Sequence, residues 1–267
     1  MPQSVGDIKA MLASRGLRPR HRFGQNFLID GSKVELLVST SGVGPGDLVL
    51  EVGPGTGSLT EALLDTGAEV VACELDRDLA ALLREHLGDR LTLIEGDCLG
   101  SGRTLSADVA DELAGRPFTL VANLPYDAAS PLMATLAMHW PACLGQYVTI
   151  QKEVADRLTA DPGTKQWGPL GVLVRRTCAV KRLAVLAPGC FWPQPNVTSA
   201  MVALTPAREA SSDAESFAAF VRTLFAARRK QLGRTLGKAR VEAVGIDPAR
   251  RAETLSMDEL EALADSS

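Results

Sequence analysis

Short apolar runs alternate with longer amphipathic stretches between residues 48 and 150. A run that is apolar throughout is typical of a strand buried on both faces of a parallel sheet, and the stretches between the runs carry apolar residues at helical spacing. The predicted strands are residues 48–52, 69–73, 91–94, 118–122 and 147–150. The predicted helices are residues 59–64, 77–87, 105–113 and 131–139. This alternation of strand and helix predicts an α/β fold.

The pattern changes after residue 151. Segments 171–180 and 199–204 are predicted to be β-rich, with a further short strand at 181–186. Antiparallel strands in this part of the chain would close one edge of the sheet. A polar, proline-marked stretch at residues 205–213 then predicts a linker.

Beyond the linker, apolar residues recur at helical spacing, and the helix they predict is expected to close at the basic run 228–230. These apolar residues are Phe217, Phe220, Val221, Leu224 and Phe225. Further helices are predicted at residues 232–244 and 257–264. Ser256, with Glu259 three residues later, is the pattern of a helix cap. The C-terminal part is therefore predicted to be a small helical bundle.

Composition fits one large domain and one small one. The chain has 267 residues and 46% hydrophobic content, enough for a sizeable core. We expect a basic arm at residues 1–30, a sheet domain at 31–205 and a helical domain at 206–267. No apolar stretch has the length of a membrane span, and the first residues lack a signal-peptide pattern, so we expect no membrane association and a cytoplasmic protein.

The five cysteines are odd in number and scattered, with no CxxC pair. That arrangement indicates neither a disulfide framework nor a zinc site. We expect buried or inert thiols and no metal site.

Charge is unevenly distributed. The net charge is −4, yet residues 1–22 carry about +4, residues 222–240 carry +7, and the remainder carries −15. Basic surfaces on an acidic body suit a polyanion bound at one face, such as a nucleic acid. Two solvated helix faces would give the same pattern, so charge alone leaves both interpretations open.

A glycine turn follows the first predicted strand, in the sequence Glu51-Val-Gly53-Pro-Gly55-Thr-Gly57. Glycines permit a tight turn and let backbone N–H groups approach a ligand, so a nucleotide-type cofactor is expected here. The spacing Gly-x-Gly-x-Gly departs from the dinucleotide fingerprint.

Two carboxylates end the next two strands. Glu74 can accept hydrogen bonds from both hydroxyls of a ribose, and Asp97 can accept one from an adenine amine. Either acid alone is more often a helix cap or turn former. Together with the glycine turn they resemble the S-adenosyl-L-methionine pocket of class I, Rossmann-like methyltransferases, which implies Gly53 at the methionine end, Glu74 at the ribose and Asp97 at the adenine.

The tetrad Asn123-Leu124-Pro125-Tyr126 directly follows a predicted strand. The Asn123 side-chain oxygen and the Leu124 carbonyl can accept both hydrogens of an exocyclic amine and turn its lone pair toward a methyl donor. Pro125 restricts Leu124 to extended geometry, and Tyr126 can stack on the base. The tetrad therefore predicts methylation of an adenine amine.

A target base must leave its stack, at a cost of a few kcal/mol, whereas one aromatic face contributes about 1–3 kcal/mol. A second aromatic face is therefore expected. Phe191 is the candidate, because two prolines stiffen the loop Phe191-Trp-Pro-Gln-Pro-Asn-Val197. Covering of the sheet edge by Phe191 and Trp192 is the alternative.

Over nearly its whole length the chain resembles the KsgA-type small-subunit ribosomal RNA adenine N6,N6-dimethyltransferases. The matching segments are Gly24-Gln-Asn-Phe-Leu28, the glycine turn, the tetrad, residues 151–157 and residues 191–199. The resemblance implies that Asn26 and Leu28 close over S-adenosyl-L-methionine, joining Gly53, Glu74, Asp97 and Asn123. Without it, the dipeptide Gln25-Asn26 is an unremarkable turn.

The resemblance further implies the substrate, two adjacent adenines near the 3′ end of small-subunit ribosomal RNA, each dimethylated within a pre-ribosomal particle during ribosome biogenesis. It makes Arg228, Arg229 and Lys230 phosphate binders, and we expect a monomer. Two features depart from the family. Gln231-Leu-Gly-Arg234 follows the basic run where Thr-Leu/Ile-Arg-Asn is usual, and Trp167 replaces a smaller aromatic residue.

Two other functions are compatible with the motifs. A large-subunit ribosomal RNA dimethyltransferase of the antibiotic-resistance type has a similar glycine turn, but it usually carries Ile at the position of Leu124 and a different C-terminal domain. An RNA-binding assembly factor with secondary or lost methylation belongs to another class. The presence of Glu74, Asp97, Asn123 and Tyr126 argues against lost catalysis.

Overall fold

The structure is a computed structural model that describes residues 3–20, 24–101, 104–208 and 213–266. Its helices are α1 Val5–Ala13, α2 Gly31–Ser41, α3 Ser58–Leu64, α4 Arg77–Leu87, α5 Ala107–Leu113, α6 Tyr126–His139, α7 Lys152–Leu158, α8 Pro169–Arg175, α9 Ala214–Ala226, α10 Leu232–Thr235, α11 Lys238–Ala243 and α12 Met257–Asp265. Its strands are β1 Phe27–Leu28, β2 Leu48–Val52, β3 Glu69–Glu74, β4 Thr92–Glu95, β5 Phe118–Asn123, β6 Cys143–Gln151, β7 Cys178–Leu186, β8 Phe191–Trp192 and β9 Ser199–Pro206.

The main sheet has the strand order β4-β3-β2-β5-β6-β9-β7. Neighbours from β4 through β6 pair in parallel, whereas β9 is antiparallel to both β6 and β7. The prediction of an α/β fold with antiparallel pairing near one edge is confirmed. Strands β3 and β4 lie on one side of β2, whereas β5 and β6 lie on the other, so the strand order reverses between β2 and β5. In α/β sheets such a switch point forms a ligand-binding crevice at the carboxyl ends of the strands.

The two central strands of the sheet, β2 and β5, are buried on both faces. All five residues of β2 are buried, and so are the first five of β5. One apolar cluster includes Leu50 and Leu120 with α6, and another includes Val49 and Val121 with α2 and α3. These continuous apolar runs are the reason that the strands between 48 and 150 were predictable.

The prediction of a β-rich segment at residues 171–180 is wrong over its first part, because Pro169–Arg175 form helix α8. Proline at the first position of a helix lacks only an N–H that would be unpaired there anyway. The apolar run that follows is buried, and a short buried run has the same composition in a helix and in a strand. The strand begins at Cys178 and includes the segment predicted at 181–186.

Two predicted helices have different bounds. The helix predicted at 131–139 begins at Tyr126, so Pro131 lies inside it rather than at its start. The helix predicted at 232–244 is divided into α10 and α11, because Gly237 between them has a φ of +89°. The helix predicted at 257–264 is present, with the capping box of Ser256 and Glu259 formed.

Part of the predicted basic arm is helical, because residues 5–13 form α1. Ile8 and Leu12 are buried against Phe27, Leu79 and Leu82. Apolar contact with β1 and α4 therefore fixes this helix, which itself carries one acid and one base; the excess positive charge of the arm follows it. Residues 1, 2 and 21–23 of the arm lie outside the described residues, as do residues 209–212 of the predicted linker.

The C-terminal helices α9 to α12 have their own apolar cluster, which includes Phe217, Val221 and Leu260. Residues before the predicted linker also belong to this cluster, among them Trp167 and Val172 of the α7–α8 region. The indole Nε1 of Trp167 donates a hydrogen bond to the Leu255 carbonyl at 3.1 Å. The helical segment is thereby attached to the sheet domain through α8.

Candidate functional site

A cavity of about 280 Å³ lies at the carboxyl ends of β2, β3, β4 and β5, at the switch point of the sheet. Its lining includes every residue predicted to bind the cofactor or to act in catalysis, namely Asn26, Leu28, Gly53, Glu74, Asp97, Asn123, Leu124, Tyr126 and Phe191. Parallel strands bring their carboxyl ends to one edge, so residues far apart in sequence converge there. The roles of the individual side chains stay predictions.

The glycine turn is shaped for close approach. Gly53 and Gly55 have φ values of +73° and +63°, a region that favours glycine. A Cβ added at Gly53 would lie 2.9 Å from the Pro125 side chain, and one at Gly55 would lie 2.9 Å from the Phe27 ring. The missing side chains thus let the turn pack against the tetrad on one side and β1 on the other.

Glu74 is 6% exposed and lies at the end of β3. Its Oε2 accepts a hydrogen bond from the Gly55 N–H at 3.1 Å, and its Oε1 accepts one from the Asp76 N–H at 2.9 Å. Burial raises the pKa of this carboxyl group, and the two backbone donors oppose that rise. Each carboxylate oxygen has a further lone pair that can accept from a ligand hydroxyl.

Asp97, at the exposed end of β4, is held by one local hydrogen bond. Its Oδ1 accepts from the Leu99 N–H at 2.9 Å. Among the described residues no group donates to Oδ2, which is therefore available to a ligand amine.

Glu51 was not predicted as a site residue, although it lies within the glycine motif. It is 1% exposed, lines the cavity, and its Oε2 has no hydrogen-bond partner among the described residues. Burial raises the pKa of Glu51 to about 8; the Thr60 hydroxyl opposes this rise, and the charge of Glu74 adds a smaller increase. A positively charged ligand in the cavity would favour the ionised form of this buried acid and so lower its raised pKa.

Asn123 is oriented by the segment that precedes β1. Its Nδ2 donates a hydrogen bond to the Asn26 carbonyl at 3.0 Å, while the Asn26 Nδ2 donates to the Gly24 carbonyl at 3.0 Å. With its amide nitrogen engaged in this way, Asn123 keeps its Oδ1 as an acceptor at the cavity. This oxygen is the acceptor that the sequence assigned to the target amine.

The rest of the tetrad places a second acceptor and an aromatic ring. The Leu124 N–H donates to the Thr149 carbonyl at 3.1 Å, and no group of the described chain donates to the Leu124 carbonyl. Pro125 is the N-cap of α6, with φ −55° and ψ +134°. Tyr126 therefore begins the helix at the cavity, where its hydroxyl lies 3.2 Å from the Ser199 Oγ.

Phe191 is 2% exposed and pairs with Leu28 across the small β1–β8 sheet. Trp192 pairs with Phe27 in the same sheet, with ring centroids 6.3 Å apart in a stacked arrangement. The Lys9 Nζ lies 5.4 Å from the Trp192 ring centroid. The segment implied to close over the cofactor and the loop proposed to hold the base thus form one unit. In the sequence, Trp192 was considered only in the alternative interpretation, in which it and Phe191 cover the sheet edge.

The three residues predicted to bind RNA lie after α9 and do not line the cavity. Arg229 and Lys230 are exposed. Arg228 is half-buried, its Nε lies 3.7 Å from the Glu253 Oε2, and its Nη2 donates to the Thr164 carbonyl at 3.4 Å. Arg228 is therefore engaged within the protein, whereas Arg229 and Lys230 face solvent.

Neither a metal site nor a membrane-spanning helix is found among the described residues. No three His, Cys, Asp or Glu side chains there are grouped so that they could hold a metal ion. None of the helices in that part of the chain has the length and apolar character of a membrane span.

The strand order and the glycine turn at its switch point define a Rossmann-like methyltransferase fold. The family model described as ribosomal RNA adenine dimethylase matches residues 16–266. The chain belongs to this family of ribosomal RNA adenine dimethyltransferases, as its motifs predicted.

Curated relatives match over nearly the whole chain. A ribosomal RNA small subunit methyltransferase A from Magnetococcus marinus is 41% identical over 272 residues, which cover 98% of this chain and 96% of the relative. Proteins of the same name from Bifidobacterium adolescentis and Streptomyces griseus are each 39% identical, cover 97% of this chain, and are themselves covered to 92% and 93%.

Solved structures show the same fold. A dimethyladenosine transferase from Plasmodium falciparum superposes with a TM-score of 0.72 at 22% identity, covering 89% of this chain and 95% of that one. The 23S rRNA methyltransferase ErmE superposes with a TM-score of 0.65 at 24% identity, covering 90% and 99%.

Proposed function

We propose that the protein transfers methyl groups from S-adenosyl-L-methionine to the N6 amines of two adjacent adenines near the 3′ end of small-subunit ribosomal RNA, dimethylating each. The observation that carries the chemistry is the orientation of Asn123. Its Nδ2 donates to the Asn26 carbonyl, which leaves its Oδ1 free to accept, and Leu124, to whose carbonyl no described group donates, lines the same cavity. The curated relatives named above support the choice of the small subunit.

The hydrogen-bond acceptors and the glycine turn of the cavity fit S-adenosyl-L-methionine. Glu74 accepts from the ribose hydroxyls, Asp97 accepts from the adenine amine, and Gly53 lets the methionine end approach the backbone. Asn26 and Leu28 would cover the ligand, whose positive charge would favour the ionised form of the buried Glu51 carboxyl in the cavity wall. When bound, this cofactor supplies an electrophilic methyl group on a sulfonium.

The protein side of the transfer is geometric. Asn123 Oδ1 and the Leu124 carbonyl hold the two amine hydrogens, which directs the nitrogen lone pair toward the cofactor side of the cavity. Tyr126 stacks on the base, and Phe191 supplies apolar contact on the other side. No strong general base is needed, because the amine nitrogen loses its proton readily once it has attacked.

RNA binding is assigned to the helical segment. We propose that Arg229 and Lys230 contact phosphates, and that Arg228, which shares their turn, holds the turn against Glu253. Residues 206–267 would then form an RNA-contacting domain, residues 31–205 the catalytic domain and residues 1–30 a cofactor-closing segment. The protein would act as a cytoplasmic monomer on a pre-ribosomal particle.

The test is a methyl-transfer assay with precursor particles, mature small subunits, large subunits and naked RNA, followed by mass-spectrometric mapping of the methylated adenines. We expect two adjacent dimethylated adenines in the small subunit. Modification of the large subunit alone would contradict the proposal in favour of the antibiotic-resistance type of enzyme.

The role of Asn123 is tested in the same assay with Asn123→Ala. Loss of an acceptor that acts on the reacting group is expected to lower the transfer rate about 100-fold or more. Circular dichroism and thermal melting serve as controls for folding. Near-normal transfer by a folded variant would refute the role in holding the amine.

A further inference from the structure

We infer that Gln25 is a positioning residue for Glu74, acting through Asp76. The inference rests on the proposed function, because it concerns the carboxylate assigned to the cofactor ribose. Gln25 belongs to the segment before β1, whereas Asp76 belongs to the turn between β3 and α4. Their contact links two parts of the cavity wall that are fifty-one residues apart in sequence.

Glu74 is held from two sides by backbone donors. The Gly55 N–H comes from the glycine turn, and the Asp76 N–H comes from the turn that follows β3. A carboxylate that must present its remaining lone pairs to two ribose hydroxyls requires both oxygens at fixed positions. The position of the Asp76 backbone N–H therefore determines the direction in which Glu74 Oε1 points.

Asp76 is fixed by its own side chain, which is 3% exposed. Its Oδ1 accepts from the Asp78 N–H at 3.1 Å, which caps α4, and from the Arg20 Nη1 at 2.8 Å. Its Oδ2 accepts from the Gln25 Nε2 at 2.9 Å. Gln25 thus satisfies the oxygen that neither the helix cap nor Arg20 engages.

Both ends of the Gln25 amide are used. Its Oε1 accepts from the Arg20 N–H at 2.7 Å while its Nε2 reaches Asp76. The next residue, Asn26, accepts the hydrogen bond that orients Asn123. The dipeptide Gln25-Asn26 therefore acts on both parts of the site. The Gln25 side chain positions Glu74 through Asp76, and the Asn26 carbonyl orients the Asn123 amide.

The test measures binding of S-adenosyl-L-homocysteine and of its 2′,3′-dideoxyribose analogue by calorimetry. Gln25→Leu leaves Asp76 Oδ2 without a donor, and we expect binding of S-adenosyl-L-homocysteine to weaken about tenfold. Binding of the dideoxy analogue should weaken at most about twofold, since it offers Glu74 no hydroxyl. Equal losses for both ligands would indicate a merely structural role and overturn the inference.

Exchanging the amide and the carboxylate between positions 25 and 76, which conserves the total charge, tests the Gln25–Asp76 hydrogen bond itself. Gln25→Glu places a carboxylate against Asp76 and should weaken S-adenosyl-L-homocysteine binding at least as much as Gln25→Leu. Combining it with Asp76→Asn restores an amide–carboxylate hydrogen bond in the reverse direction and keeps a good cap for α4. We expect the double variant to bind within about threefold of the wild type. Failure of this rescue would overturn the inference.

Arg116→Ala is the matched control. Arg116 pairs with Glu69 at the opposite end of β3, at 2.8 and 2.9 Å, far from the cavity. Its loss should leave binding of both ligands unchanged. A wild-type protein that binds neither ligand would refute the proposed function and the inference together, whereas normal wild-type binding with an unaffected Gln25→Leu variant would refute the inference alone.

Discussion

At the scale of single residues, Glu51 is the least expected side chain of the cavity. It occupies a strand position whose neighbours Leu50 and Val52 are buried and apolar. Its pKa is raised from an ordinary value near 4.5 to about 8, chiefly by burial. The folded protein therefore keeps a proton on Glu51 over a pH range in which the unfolded chain has lost it.

This difference predicts a pH-dependent effect of Glu51→Gln. Below pH 4.5 both states of the wild type are protonated at this group, and between pH 4.5 and about 8 only the folded state is, so stability is lost as pH rises through this window. Without bound ligand, the variant should gain stability over the wild type by on the order of 5 kcal/mol between pH 4.5 and 8.5. Urea unfolding across this range measures the gain, and parallel profiles for the two proteins would contradict it.

Site residues at the ends of strands could be predicted from the sequence, whereas side-chain contacts between loops could not. The convergence of Gly53, Glu74, Asp97 and Asn123 on one cavity was predictable, because each lies within three residues of the end of an apolar run and parallel strands bring such positions together. Gln25 was not predictable as a positioning residue. Its hydrogen bond to Asp76 spans two loops, and no periodicity in the sequence registers such a contact.

At the scale of elements, Trp167 explains how the helical segment is attached. The indole is 1% exposed within the cluster formed by α8, α9 and α12, and it reaches Leu255 through Nε1. The Arg175 guanidinium lies 5.2 Å from its ring centroid. A smaller aromatic ring at this position would lack the indole N–H, so the departure from the family pattern has a structural use here.

Trp167→Phe should lower the free energy of unfolding by about 1–3 kcal/mol, because it leaves a buried carbonyl unpaired and creates a small cavity. Guanidinium unfolding measures the loss. Trp140→Phe is the matched control. Trp140 is half-buried with an edge contact to Phe118, and its indole donates no hydrogen bond within the described residues. Equal losses in the two variants would contradict the role of the Nε1 hydrogen bond.

Element type was predictable where length and composition agreed, as for the strands of the parallel sheet. It was not predictable for α8, because its seven residues are too few for a helical period to stand out from a buried run. The start of α6 was missed for a similar reason. Pro131 marks a helix start by preference alone, whereas Pro125 occupies the actual cap.

At the scale of the whole molecule, the acidic body and the basic segment 222–240 divide the surface by charge. Within the basic segment, Arg228 is engaged by Glu253 and Thr164, whereas Arg229 and Lys230 face solvent. Phosphate binding releases counterions, so only cations that contact the RNA contribute to the salt dependence of binding.

Changing Arg229 and Lys230 together to Gln should reduce the slope of log affinity against log salt concentration by about 2, since each phosphate contact contributes about 1. Arg228→Gln should leave the slope unchanged and lower the melting temperature. Filter binding to small-subunit particles over a range of salt concentrations measures the slopes. A reduced slope for Arg228→Gln alone would show that the assignment among the three cations is reversed.

The position of β9 between β6 and β7 determines how the protein can fold during synthesis. β9 is the last strand of the main sheet in the chain, yet β7 joins the sheet only through it. Until residues 199–206 leave the ribosome, the main sheet of the nascent chain can contain only the five paired strands β4, β3, β2, β5 and β6. The outer side of β6 is then an open edge. Open edges promote pairing with other chains. Translational pausing before residue 199 would therefore expose an aggregation-prone intermediate, and release of β9 would end that exposure.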